Sequence, residues 1–144
     1  MPAGERNLER LLAGLDPVLH DEEFVYATGQ APGGCPTSIC TFREREGVTM
    51  ILPRADAERL GIEFTYPCRM ITLNIHSNLN AVGLLAAVTA ALAREGISVN
   101  AVSGYYHDHL FVPVQDAGRA LATLRPLQSR RSSSPDPRSR PHES

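Results

Sequence analysis

The chain has 144 residues, 42% of them hydrophobic, and a formal net charge of −2. That length holds one domain or two very small ones sharing a core, and the near-neutral charge excludes a general binder of polyanions. No apolar run reaches the roughly 18 residues that span a bilayer, and residues 1–7 lack the basic start and apolar stretch of a signal peptide. A cytoplasmic location is expected, and an odd number of cysteines, three, agrees with reduced thiols there. The charge is uneven. Residues 128–144 carry Arg130, Arg131, Arg138 and Arg140 against Asp136 and Glu143, while the body is acidic.

In chain order, Leu8, Leu11, Leu12 and Leu15 form one apolar stripe of a short helix that ends before Pro17. Residues 24–28 read as a strand, and 30–36 as a loop rich in Gly and Pro. Residues 38–42 and 48–52 read as a hairpin whose charged turn, Arg43 to Glu46, closes on Gly47. Pro53 opens a helix that runs to about Leu60 and stops at Gly61. Residues 62–66 read as a further short strand.

The second half begins with Ile71, Leu73 and Ile75 alternating with Thr72, Asn74 and His76, the period of a strand buried on one face. Ala81, Leu85, Val88 and Leu92 then share a helical stripe that ends at Gly96, with Asn78 or Asn80 available to cap its start. Residues 97–106 return as a strand, His107 and Asp108 make a turn, and residues 109–112 pair back. Asp116 caps a last helix with Ala117, Ala120, Leu121 and Leu124 on one face. Residues 69–127 thus read strand, helix, strand, strand, helix, the split βαβ order lacking its last strand. The missing edge strand must come from residues 24–28 or 62–66, so the two halves are expected to share one sheet system. Residues 128–144 are Ser-, Pro- and Arg-rich with no apolar residue after Leu127, a composition expected to be disordered.

The run Asn80-Ala81-Val82-Gly83-Leu84-Leu85, followed by Leu92 and then Gly96-Ile97-Ser98-Val99, resembles the ACT domain pattern. The runs Ile39 to Glu44 and Gly104 to Pro113 are similar to those of small bacterial proteins that carry two ACT-like modules in one chain. That group is related to the amino-acid-sensing modules of aspartate kinases and of cytosolic arginine sensors. The likeness covers about residues 8–127. It implies an α+β, ferredoxin-like (βαββαβ) fold, with two ACT-like modules sharing strands and helices on one face of antiparallel sheets. The expected division is an N-terminal module over 5–66, a C-terminal module over 67–127 and the tail over 128–144. The resemblance also implies binding of a small molecule, an amino acid, where ACT modules meet. Many ACT domains place Asp and Pro before the helix glycine; here Asn80 and Val82 stand there, which leaves the ligand open.

An amino acid's carboxylate needs several fixed donors, and the free N–H groups at a helix start supply them. Ser77, Asn78, Leu79 and Asn80 lead into such a start, and Val82 and Gly83 complete it. Gly83 lets a ligand or partner backbone come close. The plainer alternative is that Asn78 and Asn80 only cap the helix and Gly83 only packs. Thr41 and Arg43 form a second polar candidate, with Arg43 able to clamp a carboxylate through two parallel bonds; equally, residues 43–46 are a solvated turn. His107, Asp108 and His109 do not make a metal site, because neighbours in a turn point different ways. Cys35, Cys40 and Cys68 form no Cys-x-x-Cys pair.

No catalytic motif appears, so no enzyme activity, metal or cofactor is expected. The leading expectation is an amino-acid-binding regulatory or sensor module acting with a second copy or a regulated enzyme. The alternatives are an interaction module without a ligand, using an open sheet face with Thr72, Asn74 and His76, and weak RNA binding through the arginine tail. The acidic body argues against the last, and no membrane association is expected.

Overall fold

A computed structural model describes residues 8–30, 34–75 and 81–132. Six strands make one sheet in the order β2-β3-β1-β4-β6-β5, with every neighbouring pair antiparallel. The strands are β1 (Pro17–Gly29), β2 (Cys40–Arg43), β3 (Val48–Pro53), β4 (Thr65–Leu73), β5 (Asn100–Ser103) and β6 (Asp108–Pro113). The helices are α1 (Leu8–Ala13), α2 (Arg54–Leu60), α3 (Leu84–Arg94) and α4 (Ala117–Ser132), the last entered through a 3₁₀ turn at Val114–Asp116.

Two long strands carry the architecture. β1 pairs with β4 through Pro17–Leu19 against Leu73–Ile71, then again through Glu23 and Phe24 against Arg69 and Cys68, and beyond that with β3. Its N-terminal half therefore completes the sheet β1-β4-β6-β5, and its C-terminal half belongs to β2-β3-β1-β4. Each set has the ferredoxin-like order, with β1 and β4 common to both. In the first set α3 and α4 fill the two helix positions. In the second α2 fills one, and the stretch 30–39 links β1 to β2 where the other helix would stand.

Chain order differs from the sequence reading at four places. Residues 62–66 and 71–75 are not two strands: β4 is continuous from Thr65 to Leu73, so residues 66 and 67 both lie inside it. The alternation is hidden because Tyr66 has a positive φ of 58° and Pro67 follows, a bulge where two residues of β4 oppose one of β1. β1 starts at Pro17, seven residues before residue 24, and carries its own irregularity between Leu19 and Glu23. Arg69 holds that bulge, donating to the His20 carbonyl at 2.9 Å and pairing with Asp21 at 3.5 Å. β5 is only Asn100–Ser103, because the turn falls at Gly104–His107, closed by Gly104 N–H to the His107 carbonyl at 2.9 Å. Finally, helix α4 runs to Ser132, past Leu127, and the rest of the 128–144 tail lies outside the described residues.

Side-chain alternation divides the core by sheet face. Under α1, α3 and α4 lie Ile71, Leu73, Leu110 and Val112, with Leu11, Leu12, Leu15, Val88, Leu92 and Leu124 from above. Under α2, on the same face, lie Val25, Met50 and Leu52 against Ala57. The opposite face has no helix among the described residues, yet Phe24, Ile51, Cys68 and Phe111 are buried there, closed over by Tyr26, Tyr66 and Met70. The two bulges bend the sheet around this group. The Tyr66 hydroxyl donates to the Phe111 carbonyl at 3.0 Å, and the Cys68 thiol donates to the Phe24 carbonyl at 3.3 Å. Burial pushes the Cys68 thiol up to about 12, so it stays protonated and acts as a small core residue.

The ends of α2 and α3 show why the sequence stops them where it does. After α3, Gly96 takes a φ of 68°, its N–H bonds the Ala93 carbonyl at 3.0 Å, and Ile97 N–H bonds the Leu92 carbonyl at 3.0 Å. This double closure packs Ile97 onto the turn it ends, and Gly61 with Ile62 closes α2 in the same way.

Candidate functional site

The exit of β4, which leads toward α3, is flanked by two other connections. Asn74 leaves β4 with its N–H on the Asp16 carbonyl at 2.9 Å and its amide 3.5 Å from the Asp16 carboxylate. Ile75 follows, its N–H on the Leu73 carbonyl at 2.8 Å, and its own carbonyl lies 3.4 Å from Nδ1 of His107 in the β5–β6 turn. The α1–β1 turn and the β5–β6 turn thus flank the exit of β4.

Helix α3 then opens at Gly83, whose φ of 94° belongs to the left-handed region; a Cβ there meets Leu8 at 3.4 Å. Gly83 has no side chain to cap this end, and the first turn carries no acid. The first intrahelical bond runs from Ala87 N–H to the Gly83 carbonyl at 2.9 Å. The amides of Leu84, Leu85 and Ala86 therefore have no acceptor within the helix and sit at its positive end. The backbone cap position is Gly83, and Ala81 lies outside the helix; Asn78 and Asn80, expected to cap it, lie outside the described residues.

Of the sequence-derived site residues, Gly83 is the cap and Val82 beside it is 81% exposed. Ser77, Asn78, Leu79 and Asn80 lie outside the described residues. Thr41 and Arg43 stand on β2, an edge strand of the sheet. α3 packs on α1 and α4, and β2 on β3, so one chain does not bring the two groups together. The turn after Arg43 is solvated: Arg45 is 95% exposed and pairs with Glu46 at 3.5 Å, while Glu44 accepts from the Thr49 hydroxyl.

The sequence reading missed the aromatic pair of the β5–β6 turn. Tyr105 and Tyr106 sit in the β5–β6 turn with ring centroids 4.9 Å apart, each 61% exposed. Two adjacent tyrosines between a glycine and a histidine are the signal, but they read equally well as the end of a strand. It also missed a chain of polar groups across three strands on the helix-free face. The Thr72 hydroxyl lies 2.8 Å from Nε2 of His20 and 3.0 Å from Nδ1 of His109. One hydroxyl can donate to one ring and accept from the other.

Burial first, then the neighbouring His107 and His20, hold His109 below its ordinary value, with Asp108 opposing. The folded state thus favours neutral His109. Its contribution to stability is complete above the unfolded value of 6.5 and is lost as pH falls through the lower folded value. Urea unfolding at pH 7 and pH 5 checks this: the acid-side loss is expected to shrink in His109→Gln, and an unchanged loss refutes it.

Among the described residues, no group of three His, Cys, Asp or Glu side chains is placed to hold a metal ion. The three cysteines are free thiols, with Cys35 packed toward the α2 side and Cys40 toward the helix-free face. The Thr37 hydroxyl and amide lower the Cys35 thiol from its usual range. No helix of the described residues is long and apolar enough to cross a membrane.

Two profiles of the ACT domain match the chain, over residues 3–69 and 65–126. They overlap on 65–69, the first half of β4, which the two halves share. Among solved structures, a protein of unknown function from Vibrio cholerae, described as a possible transport protein, is 40% identical, with a TM-score of 0.77 over 84% of this chain and 95% of that one. A protein from Agobacterium tumefaciens is 16% identical, with a TM-score of 0.66 over 79% and 89%. The regulatory subunit of aspartate kinase from Thermus flavus is 10% identical, with a TM-score of 0.55 over 77% and 95%, a likeness of fold. No curated protein matches. The chain, with its two ferredoxin-like halves joined through shared strands, belongs to the ACT domain family.

Proposed function

We propose that this chain is a regulatory module without catalysis of its own, which binds an amino acid at the start of α3 and passes that state to a second copy or a regulated enzyme. The observation that carries the reading is the start of α3: Gly83 offers no side chain, the first turn carries no acid, and the amides there suit a carboxylate. Residues 77–80 supply further polar groups in sequence, and Tyr105 and Tyr106 are exposed in the β5–β6 turn, whose His107 reaches the Ile75 carbonyl at the exit of β4. Thr41 and Arg43 join this site only if a second copy brings them there.

A thermal-shift screen of the twenty amino acids tests the reading. A ligand at about 100 times its Kd adds about 2.7 kcal/mol of stability, a rise of several degrees. Val82→Asp sets a carboxylate beside the same amides at an exposed position. It is expected to leave folding intact, stabilise α3 by about 0.3–1 kcal/mol and weaken ligand binding at least tenfold. A flat screen, or a shift untouched by Val82→Asp, removes the proposal.

A second reading has its own support. Val82 before α3 and the paired Tyr105 and Tyr106 in the β5–β6 turn are exposed apolar side chains of the kind a protein partner covers. Measurement of size in solution, with Tyr105→Ser and Tyr106→Ser together, separates the two: a dimer lost in the double variant favours docking, and a monomer throughout eliminates self-association.

A further inference from the structure

Away from the start of α3, the C-terminal half of that helix and the middle of α4 enclose a cleft of about 370 Å³, within the size range of small-molecule sites. It exists because both helices step down to alanine there: Ala91 forms the floor and Ala122 faces it, with Pro126 and Leu127 extending the apolar wall. The rim is charged. Arg119 is fixed by two bonds, from one guanidinium nitrogen to the Glu95 carbonyl and from the other to the Asp116 carboxylate at 3.0 Å. Arg94, beside it, has no partner among the described residues, and neither does the Glu95 carboxylate. α4 is irregular at the same place. Pro126 stands inside the helix and has no amide hydrogen to return to the Ala122 carbonyl, while the Thr123 hydroxyl donates to the Arg119 carbonyl at 2.8 Å.

The cleft therefore presents one uncommitted cation, one uncommitted anion and a carbonyl lacking its helical donor, around an apolar floor. That pattern is complementary to a small zwitterion with an apolar body. We propose that the α3–α4 cleft is a second ligand site, independent of the one at the start of α3, for a small amphoteric molecule of the amino-acid type. Arg94 holds its carboxylate, Glu95 and the Ala122 carbonyl hold its ammonium, and Ala91 and Ala122 receive its apolar part.

Leucine is the probe, with isocaproate, which lacks the ammonium, and isoamylamine, which lacks the carboxylate, as controls. Methyl and amide NMR signals of the full chain locate binding: Ala91, Ala122 and Thr123 report the cleft, and Leu84 to Ala86 report the other site. Leucine is expected to move the cleft signals saturably below about 10 mM, with each half-molecule at least tenfold weaker. Arg94→Gln and Ala122→Leu, both at exposed positions, are expected to weaken it at least tenfold. Val82→Asp is expected to leave it unchanged. No saturable change at the cleft, equal response to the half-molecules, or undiminished binding in Ala122→Leu overturns the proposal. Changes confined to Leu84 to Ala86 overturn it too, while leaving the first site standing.

Discussion

Replacing Phe111 with alanine is expected to lower the unfolding free energy by about 3–5 kcal/mol, the range for emptying a large buried aromatic site. Phe111 is 1% exposed and meets Phe24 edge-to-face at 6.2 Å between centroids and Tyr26 at 6.0 Å. These contacts close the sheet face that no helix covers, so nothing can collapse into the void from above. Phe42, on the same face but 68% exposed, supplies the comparison: Phe42→Ala is expected to change stability by no more than about 0.5 kcal/mol. Urea titration of both variants checks this. A loss under about 1 kcal/mol for Phe111→Ala means the face is not a cohesive core.

The second large effect concerns the halves. A chain cut to residues 65–132 keeps β4, α3, β5, β6 and α4, all the elements of its split βαβ unit except the last strand. It is expected to show no cooperative unfolding transition. It lacks β1, leaving the β4 edge open, and it lacks α1, whose Leu11 and Leu12 are buried with Leu15 against α4 and the sheet. Each buried leucine is worth about 2–5 kcal/mol. Three of them approach the whole stability of a small domain, about 5–15 kcal/mol. A synthetic peptide of residues 8–30 is expected to restore the transition. A sharp melt of the fragment alone shows that the modules are separable.

Most helices were legible because their stripes and stop signals are local. Leu8 to Leu15, Leu85 to Leu92 and the glycines at 61 and 96 state their geometry within one or two turns. The charged hairpin was legible for the same reason. What was hidden depends on partners distant in sequence. Asp21, Glu22 and Glu23 break the alternation of β1, and only its pairing with β4 across a bulge shows that the strand continues through them. Tyr66 and Pro67 divide what is one strand, because a left-handed residue in a strand has no sequence signature when it is not glycine. The need for a borrowed edge strand was visible, since a split βαβ unit without its last strand leaves an open edge; that a single thirteen-residue strand serves both halves was not. At the candidate site, Gly83 stood out as the glycine before the α3 stripe, and it takes positive φ at the start of that helix. Thr41 and Arg43, read as a separate polar candidate, stand on the edge strand β2.

The contact between α1 and α4 sets the order in which the molecule can be completed during synthesis. Residues 8–13 complete their packing only once a helix that starts at residue 117 is made, although β4 and α3 offer part of the surface earlier. At about 5–20 residues per second, the ribosome holds α1 and α4 apart for several seconds. Throughout that interval the leucine stripe of α1 is only partly covered. The nascent chain thus carries a partly exposed amphipathic segment, which suits a holdase chaperone.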